Sequence, residues 1–84
     1  MVDVIVLSAP GCHLCDDAVR SLGEMAAEFE LSVREIGMDS PEGIDLIRLH
    51  RPAMPPAVIV NGRLFSIGRL PRKKLRKRLL KDAA

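Results

Sequence analysis

The chain has 84 residues, 48% of them hydrophobic, with a formal net charge of +2; that is enough for one small core, too little for two, and too apolar for a disordered segment. Its two aromatic residues are both phenylalanine, which excludes the base-stacking surface that single-strand nucleic-acid binders build. Its two cysteines stand three positions apart, which excludes a multi-disulfide secreted scaffold. Met1-Val2-Asp3 leads straight into an apolar run without a basic n-region or a cleavage site, and no apolar stretch approaches the roughly 18 residues that cross a bilayer. A soluble, cytoplasmic protein without membrane association is expected.

Val2 to Leu7 is nearly continuous in β-branched and apolar residues, as in a central strand buried on both faces. It ends at Ser8-Ala9-Pro10-Gly11. From Cys12 onward Cys15, Ala18, Val19, Leu22, Met25, Ala26 and Phe29 recur by threes and fours, and the spacing predicts an amphipathic helix of about 18 residues from Cys12 to Phe29. Leu31 to Ile36 reads as a second, more polar strand nearer a sheet edge. Ser40 as N-cap and Pro41 at the first helical position open a second helix that runs to about His50.

Arg51-Pro52-Ala53-Met54-Pro55-Pro56 cannot continue that helix. Ala57-Val58-Ile59-Val60, Asn61-Gly62 and Arg63-Leu64-Phe65-Ser66-Ile67 then form the strongest hairpin signal in the chain. Leu70-Pro71 opens a last helix with Leu75, Leu79 and Leu80 in one stripe. The order is β-α-β-α-β-β-α: the first two strands pair in parallel with a right-handed crossover, and the hairpin extends the sheet antiparallel.

Cys12 stands where the first loop meets the first helix, so its sulfur faces unpaired backbone N–H groups and the positive end of the helix dipole. The dipole alone contributes about 0.3–1 kcal/mol to a thiolate; hydrogen bonds at Gly11 and beyond, and a charge on His13, are the candidates for the rest. His13 reads equally as a solvent-facing side chain. Cys15, one turn on, belongs to the apolar stripe and is the less exposed thiol. The pair therefore reads as a nucleophile, Cys12, that attacks a disulfide, and a resolving thiol, Cys15, that closes the intramolecular disulfide. No cofactor is needed for that exchange. Zinc needs four ligands and only His13 and His50 remain, so a metal or iron–sulfur carrier is an alternative and not the leading reading. Leu14 and Met54 are candidates for an apolar rim around a substrate, or for burial.

At residues 10–16, Pro-Gly-Cys-His-Leu-Cys-Asp, and at residues 56–62, Pro-Ala-Val-Ile-Val-Asn-Gly, the chain resembles a small thioredoxin-superfamily protein of the glutaredoxin-like kind. The resemblance spans essentially the whole length. It implies one thioredoxin-like α/β domain over residues 1–84, a four-stranded mixed sheet with three helices, and a dithiol–disulfide oxidoreductase with a redox-active Cys12–Cys15 disulfide. It also implies a cis-proline before the third strand, in a loop that faces the cysteines, with the preceding residue paired main chain to main chain with the substrate. The spacing to Asn61-Gly62 favours Pro56 as the cis residue and Pro55 as the substrate contact; in the other register Pro55 is cis and Met54 makes the contact. Pro55 has no N–H to offer a substrate strand.

Cys12-His13-Leu14-Cys15 is neither the Cys-Gly-Pro-Cys of thioredoxins nor the Cys-Pro-Tyr-Cys of ordinary glutaredoxins, so the substrate class is not inherited from either. Ser8-Ala9-Pro10-Gly11 lacks the glutaredoxin lysine, and only Gly68 stands where a glutathione-binding member has Gly-Gly and an acid. Both departures read against a built glutathione site. The expected partners of a monomeric protein are a disulfide-containing protein or small molecule and a reductant, either glutathione or a flavoprotein of the thioredoxin-reductase type.

The net charge hides a division. Residues 1–42 carry two bases against nine acids, and residues 43–84 carry eleven bases against two. Eight of the thirteen residues from Arg69 to Lys81 are cationic, which raises the alternative of a module that binds nucleic acid or an acidic protein through the last helix. The leucine stripe argues that this helix packs on the sheet with its bases in solvent, and so against nucleic acid. Acids on the first helix and bases on the last are expected to form two separate docking faces.

Overall fold

The structure, a computed structural model, describes residues 1–83. The elements follow the expected order: β1 (Val2–Ser8), α1 (His13–Met25), β2 (Leu31–Gly37), α2 (Pro41–His50), β3 (Ala57–Val60), β4 (Arg63–Ile67) and α3 (Arg72–Ala83). The sheet order is β2-β1-β3-β4, with β1 and β2 parallel and the other pairs antiparallel. The more polar β2 is an edge strand, as its composition implies.

Side chains alternate across a strand, and β1 is apolar at consecutive positions because both of its faces are covered. Val4 and Val6 pack with Ala18, Leu22 and Met25 of α1, Val58 and Val60 of β3, and Leu75 and Leu79 of α3. Ile5 and Leu7 point the other way, to Ile36, Ala57 and Ile59, with Met38, Leu46 and Ile47 partly buried against them. Each such burial contributes about 1.5–3 kcal/mol relative to an exposed side chain.

The hairpin turn has positive φ at both central residues, 49° at Asn61 and 82° at Gly62, the type I′ geometry that matches strand twist. The Asn61 side-chain oxygen accepts from the Asp3 N–H at 2.9 Å, and the Asn61 N–H donates to the Asp3 carbonyl at 2.8 Å. Within the hairpin the register passes from Val58↔Ser66 to Ile59↔Leu64. Phe65 is the extra residue of a bulge, and its ring packs against the core on the side of α1 and α3.

At the start of α2 the Ser40 hydroxyl accepts from the Gly43 N–H at 3.0 Å and donates to the Gly37 carbonyl at 2.7 Å. A Cβ on Gly43 would collide with that same Gly37 carbonyl. Glycine is required because the first turn of α2 lies directly on the end of β2.

One boundary differs from expectation. The first helix stops at Met25, whereas its apolar periodicity continues to Phe29. The Ala27 N–H turns back to the Glu24 carbonyl at 3.2 Å, and the Glu28 and Phe29 N–H groups both reach the Met25 carbonyl, at 3.0 and 2.8 Å. The chain tightens there so that β2 can start beside β1, where the Val2 N–H donates to the Glu30 carbonyl at 2.9 Å. Phe29 still packs on the core, so the periodicity recorded its burial correctly and its backbone wrongly. The last helix begins at Arg72, just after Pro71, whose carbonyl accepts the Leu75 N–H at 2.9 Å. No helix among the described residues is long and apolar enough to cross a membrane.

Candidate active site

The register of the sheet assembles the site. Leu7, near the end of β1, pairs with Ala57, the first residue of β3. The loop from Ala9 to Cys12 and the loop ending in Pro55-Pro56 therefore leave the sheet at the same end.

Cys12 is the N-cap of α1, with extended backbone (φ −90°, ψ 105°), and its sulfur accepts the Cys15 N–H at 3.1 Å. It occupies the position where a serine or aspartate oxygen commonly satisfies an orphan helix N–H. Cys12 and Cys15 are joined in a disulfide, their Cα atoms 5.2 Å apart. The two differ in access: Cys12 is partly buried, whereas Cys15 is 1% exposed and continues the inward stripe of α1. Gly11 is exposed and turns the chain into the cap at φ 71°. The His13 side chain is exposed, with no hydrogen-bond or ion-pair partner among the described residues.

Of the two registers for the proline loop, the structure has the Pro56 one: the Pro55–Pro56 peptide is cis. Pro56 is buried, and its carbonyl accepts the Gly68 N–H at 2.9 Å, fastening the loop to the end of β4. Met54 is 48% exposed and lies over Gly68, its sulfur 3.8 Å from where a Cβ on that glycine would stand. It forms part of the surface beside the loop.

Two hollows flank the cysteines. On the α3 side a groove of about 310 Å³ is lined by Leu14, Asp17, Ala18, Ser21, Arg69, Leu70 and Arg72. On the β2 side a shallower hollow includes Gly11, Asp16, Glu35 and Asp39. The side chains of Arg69 and Arg72 were legible only as members of a basic segment; what brings them beside Leu14 is the turn at Gly68, which returns the chain from β4 at the site end of the sheet.

The two charge clusters do not stand apart as separate faces. Glu28, in the turn after α1, takes both carboxylate oxygens to the Arg76 guanidinium at 2.6 and 2.7 Å, and Glu24 and Glu28 share a groove with Arg72, Lys73 and Arg76. The helices α1 and α3 cover the same sheet face, so part of the charge division is met within the molecule. Among the described residues no group of three or more His, Cys, Asp or Glu side chains is placed to hold a metal ion.

Solved structures similar to this chain carry the same fold. An uncharacterised thioredoxin-like protein from Clostridium perfringens superposes with a TM-score of 0.79 at 14% identity, over 96% of this chain and 70% of that one. Chloroplastic thioredoxin z gives 0.75 at 20% identity, over 100% and 80%. Oxidised mitochondrial thioredoxin 3 from Saccharomyces cerevisiae gives 0.71 at 20%, over 95% and 77%. No curated protein sequence matches the chain. The thioredoxin-like fold and the Cys12–Cys15 disulfide support a thiol-redox role. Residues 3–80 match the model of the glutaredoxin-like domain (DUF836), and the chain belongs to that family.

Proposed function

We propose that the protein is a dithiol–disulfide oxidoreductase in which Cys12 is the nucleophile and Cys15 the resolving thiol. The observation that carries this reading is the inequality of the two sulfurs. Cys12 is the less enclosed sulfur and receives an N–H hydrogen bond from the first turn of α1, an interaction that stabilises negative charge on sulfur. Cys15 is enclosed by the core and within bonding reach of Cys12 alone.

In the reducing direction the Cys12 thiolate attacks one sulfur of a substrate disulfide. The Cys12–substrate S–S bond forms as the substrate S–S bond breaks, and the first substrate thiolate leaves with an electron pair and takes up a proton. Cys15, deprotonated, then attacks the Cys12 sulfur, forming the intramolecular disulfide and releasing the second substrate thiolate. Two electrons have passed to the substrate. A dithiol protein or two glutathione molecules restore the reduced pair by the reverse exchange. The electrons pass as sulfur lone pairs from thiolates to disulfides, so the cycle needs no organic cofactor. Leu14, next to the cysteines in α1, and Met54, Pro55 and Pro56, in the loop that leaves the sheet at the same end, are the residues for substrate contact, with the Pro55 carbonyl as the main-chain partner.

The test is alkylation of the reduced protein with iodoacetamide across a pH series, mapped by mass spectrometry. Cys12 is expected to label first and at lower pH than Cys15. Equal labelling, or Cys15 first, reverses the assignment. Titration of the pair against dithiothreitol and glutathione buffers is expected to follow a two-electron curve, and a pair that stays reduced or oxidised throughout is no exchange site.

A further inference from the structure

Helix α3 carries more positive charge than its packing uses. Leu75 and Leu79 face the core, Arg76 pairs with Glu28, and Arg78 pairs with Asp82 at 3.2 Å. Lys73, Lys77 and Lys81 are exposed and have no ion-pair partner among the described residues, although Lys73 also lines the groove that holds Glu24 and Glu28. Their spacing of four places them in one row along the helix. Like charges so arranged repel and destabilise an isolated helix, so the row works against folding. The row also leads to the site: Arg72, the first residue of α3, and Arg69, in the turn before it, line with Asp17 the groove that contains Leu14 of α1.

The chemistry of the surroundings selects the ligand. A single-stranded nucleic acid needs free aromatic faces, but both phenylalanines are partly buried, with Arg76 over Phe29 at 5.8 Å and Lys74 over Phe65 at 5.7 Å. A membrane surface needs an apolar face beside the bases, and the leucines of α3 are committed to the core except Leu80. On the far flank of the disulfide the charge is reversed, with Asp16, Glu35 and Asp39 lining one hollow. A partner with carboxylates on one side of its own sulfur pair fits this surface one way round, attracted along α3 and repelled at β2.

We infer that the row of Lys73, Lys77 and Lys81, led by Arg69 and Arg72, is a docking surface for an acidic protein, the redox partner whose sulfurs exchange with Cys12 and Cys15. The acidic ligand follows from charge and geometry; its redox purpose rests on the dithiol reading above. Electrostatic attraction of this kind acts mainly on association and weakens with salt.

Two assays separate the parts. The first uses the full chain with Cys12→Ser and Cys15→Ser, which cannot exchange, and a fluorescein-labelled hexaglutamate peptide read by anisotropy. Binding is expected at low salt, to be lost at roughly 1 M salt, where the Debye length is about 3 Å, and to weaken about tenfold when Lys73→Glu and Lys77→Glu are added. The pair Lys73→Gln and Lys77→Gln is expected to fall between. Hexaglutamate binding that ignores these changes overturns the surface, and a mixed-sequence single-stranded oligonucleotide that displaces the peptide at lower concentration than unlabelled hexaglutamate assigns it to nucleic acid instead.

The second assay follows exchange by the reduced wild-type protein with a glutamate-flanked disulfide peptide, a lysine-flanked one and uncharged hydroxyethyl disulfide. The glutamate-flanked peptide is expected to react about tenfold faster than the lysine-flanked one. That preference should vanish in the Lys73→Glu, Lys77→Glu protein while the hydroxyethyl disulfide rate stays unchanged. Equal rates for the two peptides overturn the docking role. No exchange with any of the three, with hexaglutamate binding intact, overturns the dithiol reading and leaves the acidic ligand standing.

Discussion

The two faces of the sheet are covered unequally. One carries α1 and α3 over a cluster of ten buried residues, among them Leu22, Leu75 and Leu79. The other carries α2 alone over five buried residues of the strands. The only fully buried residue of α2 is Gly43; Leu46 and Ile47 are partly buried, and Leu49 is 73% exposed. The helical residues placed at the site, Leu14 and Cys15 of α1 and Arg72 of α3, belong to the thickly covered face. Precise positioning of two sulfurs is drawn from the part of the molecule with the most buried area, and the lightly held helix lies where its opening disturbs the chemistry least.

Truncating each face tests that difference most strongly. Leu75→Ala is expected to cost about 2–5 kcal/mol, and Leu46→Ala about 1 kcal/mol because less of its area leaves water, both measured by urea unfolding of the oxidised protein. Equal losses would remove the distinction. Gly43→Ala sharpens it from the other side. Alanine in a helix normally gains about 1 kcal/mol over glycine, but the collision with the Gly37 carbonyl is expected to reverse this to a net loss of about 1–3 kcal/mol. A stabilised variant would show that α2 rides loosely on β2.

Ser40→Ala removes the cap of the same helix and is expected to cost about 1 kcal/mol, with the amides of α2 losing hydrogen-exchange protection ahead of those in α1. The smallest effect belongs to the thick face. Arg76→Gln breaks a pair whose members are about half exposed, and its expected cost is below about 1 kcal/mol, vanishing at high salt. A larger loss would mean that the helices α1 and α3 depend on charge as well as on leucine.

The elements legible in the sequence were those marked by a local physical signal. Val4 to Leu7 announces a strand covered on both sides, Ser40-Pro41 a helix start, and Asn61-Gly62 a tight hairpin; each appears where its signal stands. The cysteine pair was legible for the same reason, since a cap position and a neighbour one turn away fix both sulfurs locally. What escaped was set by contacts distant in sequence. Phe29 kept helical spacing because the core needs its ring, although the backbone had already turned. The bulge at Phe65 leaves no trace in a run of five residues. Arg69 and Arg72 come beside Leu14 of α1 only through the fold of the sheet, and Glu28 meets Arg76 across 48 positions of chain.

The cap at Cys12 bears on what the protein can communicate. In the oxidised pair the Cys12 sulfur already holds the Cys15 N–H. A thiolate at that position would be a stronger acceptor for the same donor. The donor that caps the disulfide is thus the one a thiolate would use, so reduction does not remove the acceptor at the start of α1. On the dithiol reading proposed above, exchange is then a local event at this cap, met by a partner that reaches the Cys12 sulfur.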